Sequence, residues 1–343
     1  MAEPLRRRVR TGVLRGMTRI AGFVPQPALR GVLGLAGAAA ARTRFGRMTR
    51  ANLALALGNE TTEAERERIA SGVFQHSARL VSEWLRLARS TAPDAPDAQR
   101  GAWIERAVRF DGSIGILERE LARGRGAIVV TAHIGNWELL AAALRRRGFR
   151  GDVVGLERPR DSSSNWLVAM RRAYGVGTIS QSASPRTLLR VLQAGRILGL
   201  LPDLEVRRLD GEFVPFFGRP ALTMTAPAAI ARAHRAPLIP IRCSIAPSSP
   251  DSGVDAAEPG SDYVLRVEEP LVLDPSLDRR AATRDITERM NALFEAWIRE
   301  TPEQWAWHQP RWRTAPGEYE AVPLVERKRR ARARRAADGS ASG

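Results

Sequence analysis

The stretch TAHIGNWELL, Thr131 to Leu140, decides the fold. It continues AIVV, Ala127 to Val130, so Ala127 to Ala132 reads as a short buried strand rich in β-branched residues. His133, Ile134 and Gly135 then make a tight turn. Asn136 opens a helix that runs to Arg147 and stops at Gly148. His133 is therefore expected at the carboxyl end of a strand, where open α/β sheets place their ligands.

Downstream the same grammar repeats. Strands are expected at 152–156, 197–201, 238–243 and 263–272, and helices at 185–194, 227–234 and 279–300. Ser184 and Pro185 supply an N-cap and a first helical residue, and Gly195 an end. Residues 246–261 are a Pro/Ser/Gly/Asp loop. Strands alternating with helices predict an α/β sheet covered on both faces.

Upstream the pattern is helical. Thr62 and Glu65 make a capping box after a helix over 47–58 that ends at Gly58. The next helix carries Ile69, Val73, Phe74, Leu80, Val81, Trp84 and Leu85, and STAPDAPD, 90–97, breaks it. Residues 4–45 read as one or two basic amphipathic helices, with Val13, Met17, Ile20 and Phe23 in the apolar stripe, broken at Pro25 and Pro27. Three parts are expected: a helical, membrane-associating part over 1–100, an α/β core over 101–318, and a basic tail over 319–343.

The net charge is +17, and all of the base but Lys328 is arginine. Such an excess points to a polyanionic partner, nucleic acid or an anionic membrane. Aromatic residues are only 6%, without the interleaving of stacking rings and basic residues that nucleic-acid modules use, so the membrane is the expected partner and no nucleic acid is. The longest apolar run, 31–41, is too short to span about 30 Å of hydrocarbon. Arginines at 10, 15, 19 and 30 interrupt any signal-peptide core, and the segment suits the membrane interface instead. The basic tail is read as a polybasic tether. A single cysteine, Cys243, and four scattered histidines, at 76, 133, 234 and 308, argue against a disulfide framework and against a metal site. No cofactor is expected.

Glu138 follows His133 by five residues, in the first turn of the expected helix. Its carboxylate is expected to fold back onto the imidazole, fix the tautomer and leave the other ring nitrogen free to take a proton. A base and its orienter with no serine or cysteine between them suit direct transfer, in which a substrate hydroxyl attacks an activated acyl thioester. The backbone amides near Gly135 and Asn136 are the expected donors for the developing oxyanion.

The chain resembles the bacterial lipid A late acyltransferases and their relatives, the phosphatidylinositol mannoside acyltransferases, over about residues 10–315. The pieces that carry the resemblance are RMTRANLALALG with TTEAERERIA, AHIGNWE, LERP, the RRAYGV region, LQAGRILGLLPDLE, FVPFFGRPALT, APLIPI, and PEQWAW with RWRT, in the family's order. It implies a glycerolipid acyltransferase-like fold, a central mixed sheet flanked by helices, with membrane-seated N-terminal helices. It implies His133 and Glu138 as catalytic residues. Arg158 of ERP, Arg171 or its neighbour Arg172, and the acids Asp203 and Glu205 of LPDLE become substrate-binding or site-organising residues. FVPFFG, 213–218, is an acyl-groove lining or core; both readings stand. The implied reaction takes an acyl group from acyl carrier protein or coenzyme A to a glycolipid sugar hydroxyl, on the cytoplasmic face of the inner membrane. Trp307-His308-Gln309-Pro310 is closer to the mannoside branch, while LPDLE and FVPFFG fit the lipid A branch, so both acceptors stay open.

Overall fold

Ala127–Val130 is the middle strand of the sheet, and the fold is laid out around it. The computed structural model describes residues 12–13, 16–21, 23–90, 101–155, 162–205, 211–245 and 262–317. Numbered along the chain, the helices are α1 (Gln26–Ala40), α2 (Arg44–Leu57), α3 (Glu63–Ser90), α4 (Ala102–Ala107), α5 (Ile114–Ala122), α6 (Trp137–Arg146), α7 (Ser162–Ala173), α8 (Pro185–Gln193), α9 (Ala226–His234) and α10 (Arg279–Glu300). The strands are β1 (Val108–Phe110), β2 (Ala127–Val130), β3 (Gly151–Gly155), β4 (Gly177–Ser180), β5 (Ile197–Leu200), β6 (Gly211–Phe216), β7 (Arg219–Met224), β8 (Leu238–Ser244) and β9 (Tyr263–Val267).

Seven strands form one sheet in the order β1-β9-β8-β2-β5-β3-β4. Its pairs are parallel except β8 with β9, so the sheet is mixed, as the resemblance implied. The period of two along β2 sends its side chains to opposite faces. Ile128 and Val130 join one apolar cluster, with Leu198, Leu238, Phe294 and Trp297. Ala127 and Val129 join the other, with Leu139, Ile197, Ile239 and Ile241. Both faces are covered, so β2 is apolar throughout instead of alternating.

Local rules set most boundaries. Thr62 and Glu65 close the capping box, with Thr62 N–H to Glu65 Oε2 at 2.7 Å and Glu65 N–H to Thr62 Oγ1 at 3.2 Å. Asp278 Oδ1 caps α10 through the amides of Arg280 and Ala281. One expectation fails. The strand expected over 263–272 ends at Val267. The backbone still bonds to β8 through Glu268 N–H to Pro240 and Leu271 N–H to Leu238, but Pro270 has no N–H to continue a ladder. FVPFFG conceals a hairpin: β6 pairs antiparallel with β7 around Phe217 and Gly218, both at positive φ (51° and 67°). Gly218 was the available signal. Phe216 and Phe217 are buried against Trp305, Trp307 and Trp312, so these two rings belong to the core.

The N-terminal helices pack on this body. Gly37 brings α1 so close to α3 that a Cβ there would stand 2.8 Å from the Phe74 carbonyl oxygen. Asn52 of α2 donates to the carbonyls of Trp307 (2.8 Å) and Gln309 (3.0 Å). None of α1's residues is buried, and its Val32 and Leu35 are 66% and 75% exposed, with Phe23 just before it at 84%. Among the described residues no helix is long and apolar enough to cross a membrane. The expected helical start over 4–11, the 90–97 break beyond Ser90, the 246–261 loop and the tail lie outside the described residues.

Candidate active site

β2 and β5 run parallel with Val130 opposite Leu200. Three residues beyond each partner stand His133 and Asp203, so the register alone carries them to the same edge of the sheet. There Asp203 grips His133 twice. Oδ2 accepts the His133 backbone amide at 2.7 Å, and Oδ1 lies 2.8 Å from Nδ1. Trp305 Nε1–H donates to Oδ2 at 2.9 Å. Asp203 is fully buried, which alone would raise its carboxyl pKa. The imidazole, the amide and the indole outweigh burial and hold it below the usual range, so it is ionised. An ionised carboxylate at Nδ1 retains the proton there and leaves the Nε2 lone pair free.

This overturns the expected pairing of His133 with Glu138. Glu138 is the second residue of α6 and is 1% exposed. Its carboxylate instead meets α7, which brings Arg171 to both oxygens, Nε to Oε2 at 2.9 Å and an η nitrogen to Oε1. One helical turn later Tyr174 O–H donates to Oε2 at 3.0 Å. Burial alone would lower the pKa of Arg171, but Glu138 outweighs it and keeps the guanidinium charged. Burial, and then Glu138, push the Tyr174 phenol well up, so it stays a donor. Gly155, at the end of β3, leaves room for this fork: a Cβ there would stand 3.1 Å from Arg171 Nη1. Of the two neighbours in RRAYGV, Arg171 is the one that faces the site; Arg172 is exposed.

The turn itself is built into the sheet. Ile134 bridges to Trp305, Gly135 N–H donates to Gln304 O (3.1 Å), and Asn136 N–H donates to Cys243 O (2.8 Å). The Gly135 and Asn136 amides are thus taken up by backbone carbonyls, which narrows the expected oxyanion donors to other amides near them at the helix start. Gly135 has φ +58°, and a Cβ there would lie 2.1 Å from the Cys243 carbonyl oxygen, so only glycine fits. Asn136 caps α6, its Oδ1 accepting the Leu139 amide at 3.0 Å. Beneath the turn His76 Nε2 lies 3.1 Å from Gly135 O. Burial brings the His76 pKa down to about 4, so it is a neutral donor. On the open side the Trp137 ring meets the His133 ring edge to face, centroids 5.0 Å apart.

The other expected residues separate. Glu205 faces away from His133 toward the C-terminal strap, where it accepts the amides of Arg313 (2.9 Å) and Thr314 (3.0 Å) and the Thr314 hydroxyl (2.6 Å). It organises the chain that delivers Trp305 and is not grouped with the His133–Asp203 pair. Arg158 lies outside the described residues. Among the described residues no group of three or more His, Cys, Asp or Glu could hold a metal. Cys243 is buried, which pushes its thiol pKa well up and leaves it a poor nucleophile. Sequence reasoning assigned no role to Trp305 or Tyr174. Both stand in quoted motifs, PEQWAW and RRAYGV, and the i,i+3 spacing of Tyr174 from Arg171 was the signal available for the second.

The model of the bacterial lipid A biosynthesis acyltransferase family matches residues 7–314. The chain is similar to the phosphatidylinositol mannoside acyltransferase of Mycolicibacterium smegmatis, 25% identical over 86% of this chain and 88% of the relative. It is similar to the lipid A biosynthesis lauroyltransferase of Escherichia coli, 28% identical over 59% of this chain and 60% of that protein. A phosphatidylinositol mannoside acyltransferase of Mycobacterium tuberculosis is 27% identical over 39% of this chain and 44% of its own. With the match running through the helical start, the His133 turn, the Asp203 loop and the Trp305 strap, the chain is an acyltransferase and belongs to the bacterial lipid A biosynthesis acyltransferase family.

Proposed function

We propose that this protein moves a fatty acyl group from a thioester, on acyl carrier protein or coenzyme A, to a sugar hydroxyl of a glycolipid such as a lipid A precursor. His133 is the general base and Asp203 its orienter. The observation that carries this reading is the Asp203 Oδ1 contact at 2.8 Å from His133 Nδ1, with His133 itself partly open to solvent.

The acceptor hydroxyl gives its proton to Nε2 as its oxygen attacks the thioester carbonyl. The imidazolium that forms is stabilised by the buried Asp203 carboxylate. Collapse of the tetrahedral intermediate breaks the C–S bond, and the Nε2 proton passes to the departing thiolate. The ester and a free thiol result, and His133 returns neutral. With the Gly135 and Asn136 amides occupied, the first-turn amides of Trp137 and Glu138 are assigned to the oxyanion; they have no acceptor among the described residues. Glu138, Arg171 and Tyr174 hold that helix start in place.

A mannoside acceptor is the second reading. It is supported by the longer match to the Mycolicibacterium relative and by Gln309-Pro310 in the strap. For either acceptor the exposed Phe23, Val32 and Leu35 with the basic N-terminus suit a peripheral seat on an anionic membrane, on the cytoplasmic leaflet where thioester donors are found. Transfer from radiolabelled acyl carrier protein and acyl-coenzyme A to extracted lipid A precursors and phosphatidylinositol mannosides tests the proposal. Label is expected in one acceptor class with wild type and in none with His133→Ala. Equal label with both proteins, or none with any donor, defeats it.

A further inference from the structure

Glu83 is a carboxylate buried to 1% exposure in the C-terminal third of α3, outside the reacting pair. Four donors meet it. Oε1 accepts Arg79 Nε (2.8 Å) and an η nitrogen of Arg30 (3.1 Å); Oε2 accepts Asn136 Nδ2 (2.9 Å) and the Tyr263 hydroxyl (2.6 Å). Its charge is thus balanced by Arg79 and by Arg30 of α1, and both arginines also approach Asp262 (3.1 and 3.7 Å). A buried carboxylate needs such balance, but a mere filler would not reach into the His133 turn.

The contact with Asn136 is the informative one. An amide side chain can turn over, and Asn136 is fixed from both ends. Glu83 takes its NH2 group, while its Oδ1 accepts the Leu139 amide and, at 3.1 Å, the Trp84 indole N–H. Trp84 meets Trp137 edge to face at 5.3 Å, and Trp137 meets the His133 ring at 5.0 Å. Two adjacent residues of α3 therefore bear on the imidazole's outer face, one through the cap of α6 and one through a second indole. Asp203 fixes Nδ1 but leaves the ring free to swing about that bond; Trp137 limits the swing.

We infer that Glu83 is a positioning residue for acyl transfer, acting through Asn136 and the Trp84–Trp137 pair to set the orientation of His133. The inference rests on the reading of His133 as the base. Misplacing a base by a fraction of an ångström lowers turnover by about 10- to 100-fold while substrate binding persists.

Glu83→Gln leaves one amide oxygen where two carboxylate oxygens accept four donors, so the arginine pair and Asn136 can no longer both be satisfied and Asn136 loses its fixed orientation. The double variant Glu83→Gln with Asn136→Asp reverses the pair: the amide introduced on α3 donates, and the carboxylate introduced at the α6 cap accepts from it while still accepting from Leu139 and Trp84. In acyl transfer from acyl-coenzyme A and acyl carrier protein, kcat is expected to fall about 10- to 100-fold in the single variant, with donor KM nearly unchanged, and to recover at least partly in the double. The proton shifts of the His133 ring, identified by their loss in His133→Ala, read the Trp137 ring current without any turnover. They are expected to move in Glu83→Gln and return in the double variant. A folded Glu83→Gln protein with unaltered His133 shifts overturns the inference, as does loss in both variants without recovery. Shifts that behave as expected in a wild type that transfers no label would instead sink the functional reading and leave the positioning intact.

Discussion

Asp203 holds His133 by side chain and backbone together, Oδ1 at 2.8 Å from Nδ1 and Oδ2 accepting the amide at 2.7 Å. The amide bond fixes where the carboxylate sits, and the Nδ1 bond then fixes the tautomer. Asp203→Asn is expected to leave the fold intact and lower kcat by about 10²- to 10⁴-fold, because an amide donating to Nδ1 forces the proton onto Nε2. Turnover within threefold of wild type, in a protein with a native circular dichroism spectrum, would remove Asp203 from the mechanism.

Arg171 and Glu138 form a buried fork, and breaking it should be asymmetric. Arg171→Met strands a carboxylate and is expected to destabilise by about 3–5 kcal/mol, whereas Arg171→Met with Glu138→Gln recovers much of that. Denaturant unfolding of the two single variants and the double variant measures the coupling; additive losses would contradict a direct pair.

Gly135→Ala places a Cβ 2.1 Å from a backbone oxygen at φ +58°, with no flexible side chain able to move aside. A loss of roughly 3 kcal/mol or more, or insoluble expression, is expected. Gly112→Ala, with open space around its Cβ position, is the control and should express and melt like wild type.

His76 gives the fold a pH dependence of known sign. Burial is the largest cause of its low pKa, and nearby Arg79 adds to it, so the folded state protonates only near pH 4, against 6.5 for a free imidazole. Its contribution is complete above pH 6.5 and is lost as the pH falls through the folded value, reaching about 3 kcal/mol in total. Melting temperature should therefore drop more steeply between pH 6.5 and 4.5 in wild type than in His76→Gln. Parallel curves would mean that His76 is as easily protonated folded as unfolded.

Phe23 and Leu35 expose apolar surface, and the sequence before Phe23 is rich in arginine. Phe23→Glu with Leu35→Glu is expected to weaken sedimentation with anionic vesicles by at least about tenfold, since each side chain contributes about 1.5–3 kcal/mol when buried. Unchanged co-sedimentation would place the contact elsewhere.

The elements that follow from neighbouring residues were legible before any coordinates. The strand into His133, the capping box of Thr62 and Glu65, the helix 279–300 and the mixed α/β architecture all appear as read, the last through the resemblance. So does the placement of His133 at a strand's carboxyl end. These depend on periodicity, caps and breakers, which act over a few residues. The partner of His133 was not legible in the same way. Glu138 is five residues away and Asp203 is 70, yet Asp203 makes the contact, because β5 lies beside β2 with Val130 opposite Leu200. Likewise Glu138 found Arg171 and Tyr174 only because the end of α7 reaches the start of α6, and the Gly135 and Asn136 amides were taken by the turn at Gln304 and by β8, which arrive more than a hundred residues later. By itself the sequence determined which residue types stand at the ends of which elements. Which of those ends meet was decided by tertiary structure, because strand order and register depend on how both apolar faces of the sheet are buried at once, and no local stretch carries that information.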